Sequence, residues 1–228
     1  MKEANFLPVL LQSFSQYESR LILQAVSRFG AKSVTVVPQT LDTYVSVSVN
    51  RCRYLDFSRF LKAPLNDLVE VLKSKAGLES FKYVARYMPE ETVETLVRKQ
   101  VYCPDYIDSV ERLEEQNLPP IAGFYDRISD ENISASDYDH ANKLWNIFGM
   151  NCLEDYLRLY LLVQSLLFAD VLENFREEMM KEYLLDILHY FSLPGFCWDA
   201  CLFKSGVTLE LLTCEEMHAV VLDGIRGE

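Results

Sequence analysis

The sequence predicts an α/β fold with a mixed sheet near its amino end. Between residues 33 and 57 lie three short runs rich in β-branched or aromatic residues, the first two of which alternate apolar with polar. Beyond them, apolar residues recur at intervals of three and four, the spacing of one helix face. Half of the 228 residues are hydrophobic, so the chain can bury a core and is not disordered overall.

The elements follow in order. Residues 6–11 form a short apolar run, and 17–29 carry Leu21, Ile22, Ala25, Val26 and Phe29 at helical intervals, closed by Gly30. Residues 33–37 and 44–49 read as strands joined by a hairpin over 38–43, and 53–57 is a third strand leading into a helix at 65–75. From 76 to about 136 the pattern weakens into short helical pieces around Pro89, Pro104, Pro119-Pro120 and Gly123, an insertion or extended arm with acidic 111–115 on its surface. Ser136-Asp137 can cap a helix over 138–148 that ends at Gly149. Helices at 153–182 and 198–204 follow, separated by Leu193-Pro194-Gly195, and a last helix starts at Cys214-Glu215-Glu216-Met217. The organisation is therefore 1–75 as strands and helix, 76–136 as insertion, and 137–228 as a helical part.

Within the long helix, Leu157, Leu161, Gln164, Phe168, Val171 and Phe175 fall on one stripe. A glutamine there must find hydrogen-bond partners or forfeit roughly 1–3 kcal/mol of desolvation energy. It is either a buried amide satisfied by backbone or an inward position that once carried a metal-binding carboxylate. Asp170 is a poor substitute, because six residues turn a helix by about 240°.

Charge limits the partners. A formal charge of −12, with an isoelectric point near 4.8, opposes non-specific nucleic-acid binding, which draws its affinity from Lys and Arg on phosphates. Any DNA contact needs a local basic patch such as 51–59 or Arg98-Lys99. Cysteines 52, 103, 152, 197, 201 and 214 include no Cys-x-x-Cys pair and no histidine at zinc-like spacing, so they read as reduced, mostly buried thiols. His140, His189 and His218 are scattered and give no triad. No run approaches 18 apolar residues and the opening residues are unlike a signal peptide, so a soluble intracellular protein of nucleus or cytoplasm, without membrane contact, is expected.

Several runs, in order along nearly the whole chain, resemble protein-primed family B DNA polymerases of viruses, organellar plasmids and Polinton-type transposons. Pro8-Val9-Leu10-Leu11-Gln12-Ser13-Phe14-Ser15-Gln16-Tyr17-Glu18-Ser19-Arg20-Leu21 is similar to their second exonuclease motif, with Ser13 at the family's Asn and Glu18 at its catalytic Asp. Arg53-Tyr54-Leu55-Asp56-Phe57-Ser58-Arg59-Phe60-Leu61 resembles a segment that contacts single-stranded DNA. Tyr160-Leu161-Leu162-Val163-Gln164 stands where the third motif reads Tyr-Leu-Lys-Thr-Asp, and Gly224-Ile225-Arg226-Gly227 resembles the linker toward the polymerase half.

The resemblance implies a ribonuclease H-like exonuclease sheet, incomplete here, with a helical insertion and a helical C-terminal part. It implies catalytic positions at Glu18, Tyr160 and Gln164, and DNA contacts at Ser13, Phe14, Ser58, Arg59, Arg226 and Gly227. The first exonuclease motif and the polymerase palm motifs are not in this sequence, and two of the remaining acids are replaced. Mg²⁺, the family's cofactor, is expected to be lost. The implied protein is a fragment or degenerate remnant of a DNA-directed DNA polymerase, inactive alone, with weak DNA binding. The rival is a domesticated protein-interaction module on the same fold. If geometry outlived chemistry, Glu18 and Gln164 converge within roughly 10 Å, a span that two metals and their ligands fill.

Overall fold

The computed structural model describes residues 6–224, apart from 13, 16, 129 and 211. In chain order the elements are β1 Leu7–Leu11, α1 Glu18–Phe29, β2 Val34–Pro38, β3 Tyr44–Val49, β4 Cys52–Asp56, α2 Leu65–Ala76, α3 Lys82–Tyr87, α4 Val93–Leu96, α5 Ala135–Ile147, α6 Leu153–Tyr183, α7 Leu193–Ser205 and α8 Glu215–Gly224, with short 3₁₀ turns between several of them. The chain is therefore mixed α/β, and it divides into two compact units: Met1–Leu61 with Met179–Glu228, and Lys62–Glu178. Among the described residues no helix is long and apolar enough to cross a membrane.

The first unit is built on one four-stranded sheet in the order β1-β4-β3-β2. β2, β3 and β4 form an antiparallel meander, and β1 joins its edge parallel to β4, with Leu7 opposite Cys52 and Leu11 opposite Asp56. Val47, paired with Tyr54, and Leu55, paired with Ser46, point to opposite faces of the sheet, and both are fully buried. The β3–β4 turn needs a left-handed residue, and Asn50 supplies it at φ 55°, its side-chain oxygen accepting the Lys32 amide at 3.0 Å. α7 begins earlier than expected. Pro194 sits in its first turn, where a missing N–H leaves no bond unmade, so Leu193-Pro194-Gly195 opens the helix instead of separating two helices. α8 starts where the sequence indicates, and every described residue from 207 to 224 is exposed.

The second unit is helical. Its core gathers Val101, Cys103, Phe124, Ala141, Leu153 and Tyr156. The buried Tyr156 hydroxyl donates to the Val101 carbonyl at 2.7 Å, and the Leu153 amide donates to the Glu115 carbonyl at 2.8 Å, so α6 is anchored by two bonds into the irregular segment. Gly123 is required where it stands: a Cβ there would meet Pro119 Cβ at 2.8 Å and the Tyr106 ring at 3.0 Å. Ser134, not Ser136, caps α5, its Oγ accepting the Asp137 amide at 3.1 Å; extended backbone at Ser134 makes that reach possible, whereas Ser136 is already helical. Acidic 111–115 is only partly a surface feature, because half-buried Glu115 accepts the Tyr106 hydroxyl at 2.6 Å and Arg112 at 2.7 Å.

Two further expectations are corrected. The buried seam of α6 runs through Tyr156, Val163, Leu167, Asp170 and Val171, with Leu161 53% exposed and Gln164 half-buried. The seam lies one residue away from most of the expected stripe, because α6 is apolar on more than one side and its sequence fits two registers. All six cysteines are free, but Cys103 alone is buried and Cys197, Cys201 and Cys214 are exposed.

Candidate functional site

Parallel pairing of β1 with β4 delivers the carboxyl ends of both strands to one edge of the sheet. In α/β sheets such an edge is where ligands bind. The turn leading into α1 and the turn after β4 leave it together, bringing Phe14, Glu18, Ser58 and Arg59 into one region of the first unit. Ser13, Arg226 and Gly227 lie outside the described residues.

Asp56 holds this region together, and the sequence reading missed it. Its carboxylate is 0% exposed and accepts four hydrogen bonds: the Ser15 amide at 2.8 Å, the Ser15 hydroxyl at 2.5 Å, the Ser58 amide at 2.9 Å and the Ser58 hydroxyl at 2.5 Å. One oxygen takes the pair from each serine, so the two turns are pinned to each other across 41 residues of sequence. The Asp-Phe-Ser order at 56–58 is the local signal, since an Asp ahead of a 3₁₀ turn accepts the amide two residues on.

The other residues are less free than a DNA contact requires. Phe14 is fully buried and stacked on Tyr54, ring centroids 6.2 Å apart, so its ring serves the core. Arg59 is half-buried; its Nη1 donates to Gln39 Oε1 at 2.7 Å, and its Nε is buried without a hydrogen-bond partner in the protein. Glu18 sits in the first turn of α1, a favourable place for an acid, with Oε2 buried and likewise unpartnered.

These groups do not fit a two-metal centre. Two divalent ions about 3.5–4 Å apart need several carboxylate oxygens. Glu18 offers one carboxylate, and all four hydrogen bonds to Asp56 come from serines that fix its oxygens in place. Among the described residues no group of three or more His, Cys, Asp or Glu side chains could hold a metal.

Tyr160 and Gln164 belong to the second unit. Tyr160 stacks on Tyr102 with centroids 5.1 Å apart and planes 21° from parallel, and burial raises its phenol pKa. Gln164 is half-buried on α6 and brings an amide where a metal would need charge. The inward acid of α6 is Asp170, 1% exposed, whose two oxygens accept the Tyr83 amide at 2.8 Å and the Val84 amide at 3.0 Å in the first turn of α3. Desolvation pushes its carboxyl pKa up, and these backbone bonds oppose the shift. One turn on, Asn174 Nδ2 donates to the Ser80 carbonyl at 2.9 Å, so an Asp-x-x-x-Asn pair grips the strand of chain entering α3.

Near the amino end of α5, Arg98 pairs with Asp137 at 3.1 Å. His140 is 6% exposed with Nε2 buried and unpartnered, and burial, then Arg98 and Lys143, push its pKa down to about 4 against the opposing Asp137. No family model matches this chain, and neither a curated protein nor a solved structure is found to match it.

Proposed function

We propose that the chain is an exonuclease-type region of protein-primed DNA polymerase descent that no longer hydrolyses phosphodiesters and binds single-stranded DNA only weakly. The observation that carries the reading is the meeting of two family-like runs, Pro8 to Leu21 and Arg53 to Leu61, at one sheet edge pinned by Asp56. Catalysis fails in this reading for want of charge: the Asp56 carboxylate beside Glu18 is taken up by four serine hydrogen bonds, and the position of the family's third acid is the neutral Gln164. DNA affinity is low because Arg59 is already bonded to Gln39 and the chain as a whole carries −12.

End-labelled single-stranded DNA incubated with Mg²⁺ or Mn²⁺ is expected to keep its length. Metal-dependent shortening that disappears in Glu18→Ala would overturn the reading. Fluorescence anisotropy at physiological salt is expected to give affinity weaker than about micromolar, in the range of non-specific binding.

A second reading, a module that binds another protein, is favoured by the exposed 207–224 segment. Val207, Leu209, Leu212, Met217, Val220, Val221 and Leu222 are each at least 43% exposed there. Retention of DNA binding after truncation at residue 206, with loss of binding to a protein partner, would favour this reading over the first.

A further inference from the structure

α7 presents two thiols on one outward face. Cys197 and Cys201 stand four residues apart on it, both exposed, and Trp198 beside them is 61% exposed. Free cysteine is among the most buried residue types, so a pair of exposed thiols next to an exposed tryptophan is placed against the usual preference. The helix that carries them is held from behind. Phe196 and Ala200 are buried, the Phe196 ring packs edge-on with Tyr183 and Tyr190 at centroid distances of 5.7 and 5.4 Å, and Asp199 accepts the Tyr190 hydroxyl at 3.0 Å. The two thiols therefore sit on a fixed scaffold with their open side toward solvent.

Their spacing selects a metal over a disulfide. Residues four apart on a helix hold their β-carbons about 5–6 Å apart, whereas a disulfide needs about 3.5–4.5 Å. Both cysteines are free. Two sulfurs bound to one tetrahedral zinc at about 2.3 Å stand about 3.8 Å from each other, a distance that side chains one helical turn apart can span. Thiolates are soft ligands that suit zinc and disfavour Mg²⁺ or Ca²⁺. A structural zinc closes its shell with four ligands, and among the described residues no third His, Cys, Asp or Glu joins the pair. The chain thus supplies half of a site. A second copy supplies the same two thiols, and a two-fold axis through the ion makes the contact self-complementary.

We propose that Cys197 and Cys201 of two copies hold one Zn²⁺ in a four-thiolate site that joins the copies through α7. Each thiol loses its proton to solvent as its sulfur bonds the ion, so the dimer forms less readily as pH falls. Trp198 of each copy flanks the ion and is covered by the α7 of the other copy. At −12 per copy two chains repel each other without the metal, so the dimer tracks zinc. The site depends on neither reading of function given above.

Full-length protein, reduced and freed of metal, is titrated with Zn²⁺ and its mass followed by light scattering on a sizing column. The mass is expected to double at one zinc per two chains and to return on adding EDTA. Co²⁺ in place of zinc is expected to give the thiolate-to-cobalt absorption of a tetrahedral sulfur site. Cys197→Ser and Cys201→Ser lie at exposed positions that folding tolerates, which circular dichroism verifies. Each is expected to leave a monomer and to weaken zinc by more than about 100-fold, beyond what loss of an outer partner costs. Cys214→Ser removes a thiol that is also exposed but outside the pair, and is expected to leave mass and spectrum unchanged. A single mass at saturating zinc, one zinc bound per chain, a dimer that persists in EDTA, a dimer indifferent to either pair variant, or loss of the dimer in Cys214→Ser would each overturn the assignment.

Discussion

Replacing Asp170 with alanine tests whether a carboxylate on α6 holds α3 in place. The substitution strips the acceptor from two amides, Tyr83 at 2.8 Å and Val84 at 3.0 Å, at a site 1% exposed to solvent. Each buried donor left unpaired costs about 1–3 kcal/mol. The upward shift of the carboxyl pKa means that burying this charge already offsets part of the gain, so the net loss is expected at the lower end per bond, about 2–4 kcal/mol in all. α3 has six residues, too few to stand unsupported, so the damage should be local first. Asp170→Asn keeps one acceptor and should lose less than alanine does. Urea unfolding followed by far-UV circular dichroism at neutral pH measures the cost, and amide exchange at Tyr83 and Val84 locates it. An alanine variant within about 0.5 kcal/mol of the parent, the range of ordinary surface changes, with unchanged exchange at both amides, would refute the reasoning.

Other substitutions probe other parts. Gly123→Ala should lower stability by about 1–3 kcal/mol, seen as a fall in Tm, because the new methyl meets Pro119 at 2.8 Å and Tyr106 at 3.0 Å in a packed corner. Asp56→Ala should cost more than Ser15→Ala in the same melt, since the first removes the acceptor of four bonds and the second removes one donor. His140 is neutral in the folded chain down to about pH 4, while the unfolded chain takes up its proton near 6.5. Its contribution is therefore present above 6.5 and lost as pH falls toward 4, by up to about 3 kcal/mol, and His140→Gln should flatten that limb of the stability profile.

Local patterns made the sheet legible before any coordinates. The alternation at 33–37 and 44–49 has one reading, and Gly30 and Gly149 close their helices at left-handed φ of 77° and 57° as their positions suggest. α6 was legible as a helix but not in rotation, since Leu161 and Leu162 mimic a buried face and are exposed. The serines at 134 and 136 compete for one cap, and spacing alone does not choose between them. Asp170, and the half of Asp56 that binds Ser15, were opaque for a different reason: those partners lie about 87 and 41 residues away, and only the Asp56 bonds to Ser58 are visible in a local window. Residues 99–137 lack periodicity, so nothing in them marks which side chains face inward.

The order in which the sheet can assemble follows from its pairing. The β2–β3–β4 meander closes through short turns and can form early, whereas β1 must return across the whole meander to dock in parallel. Until it does, β4 is a naked edge with open backbone groups, and the Asp56 carboxylate lacks both donors from Ser15. A chain newly released from the ribosome therefore passes through a state whose reactive rim is the same edge that later carries the candidate site. Substitutions that slow β1 docking should show themselves as poor soluble yield at unchanged equilibrium stability.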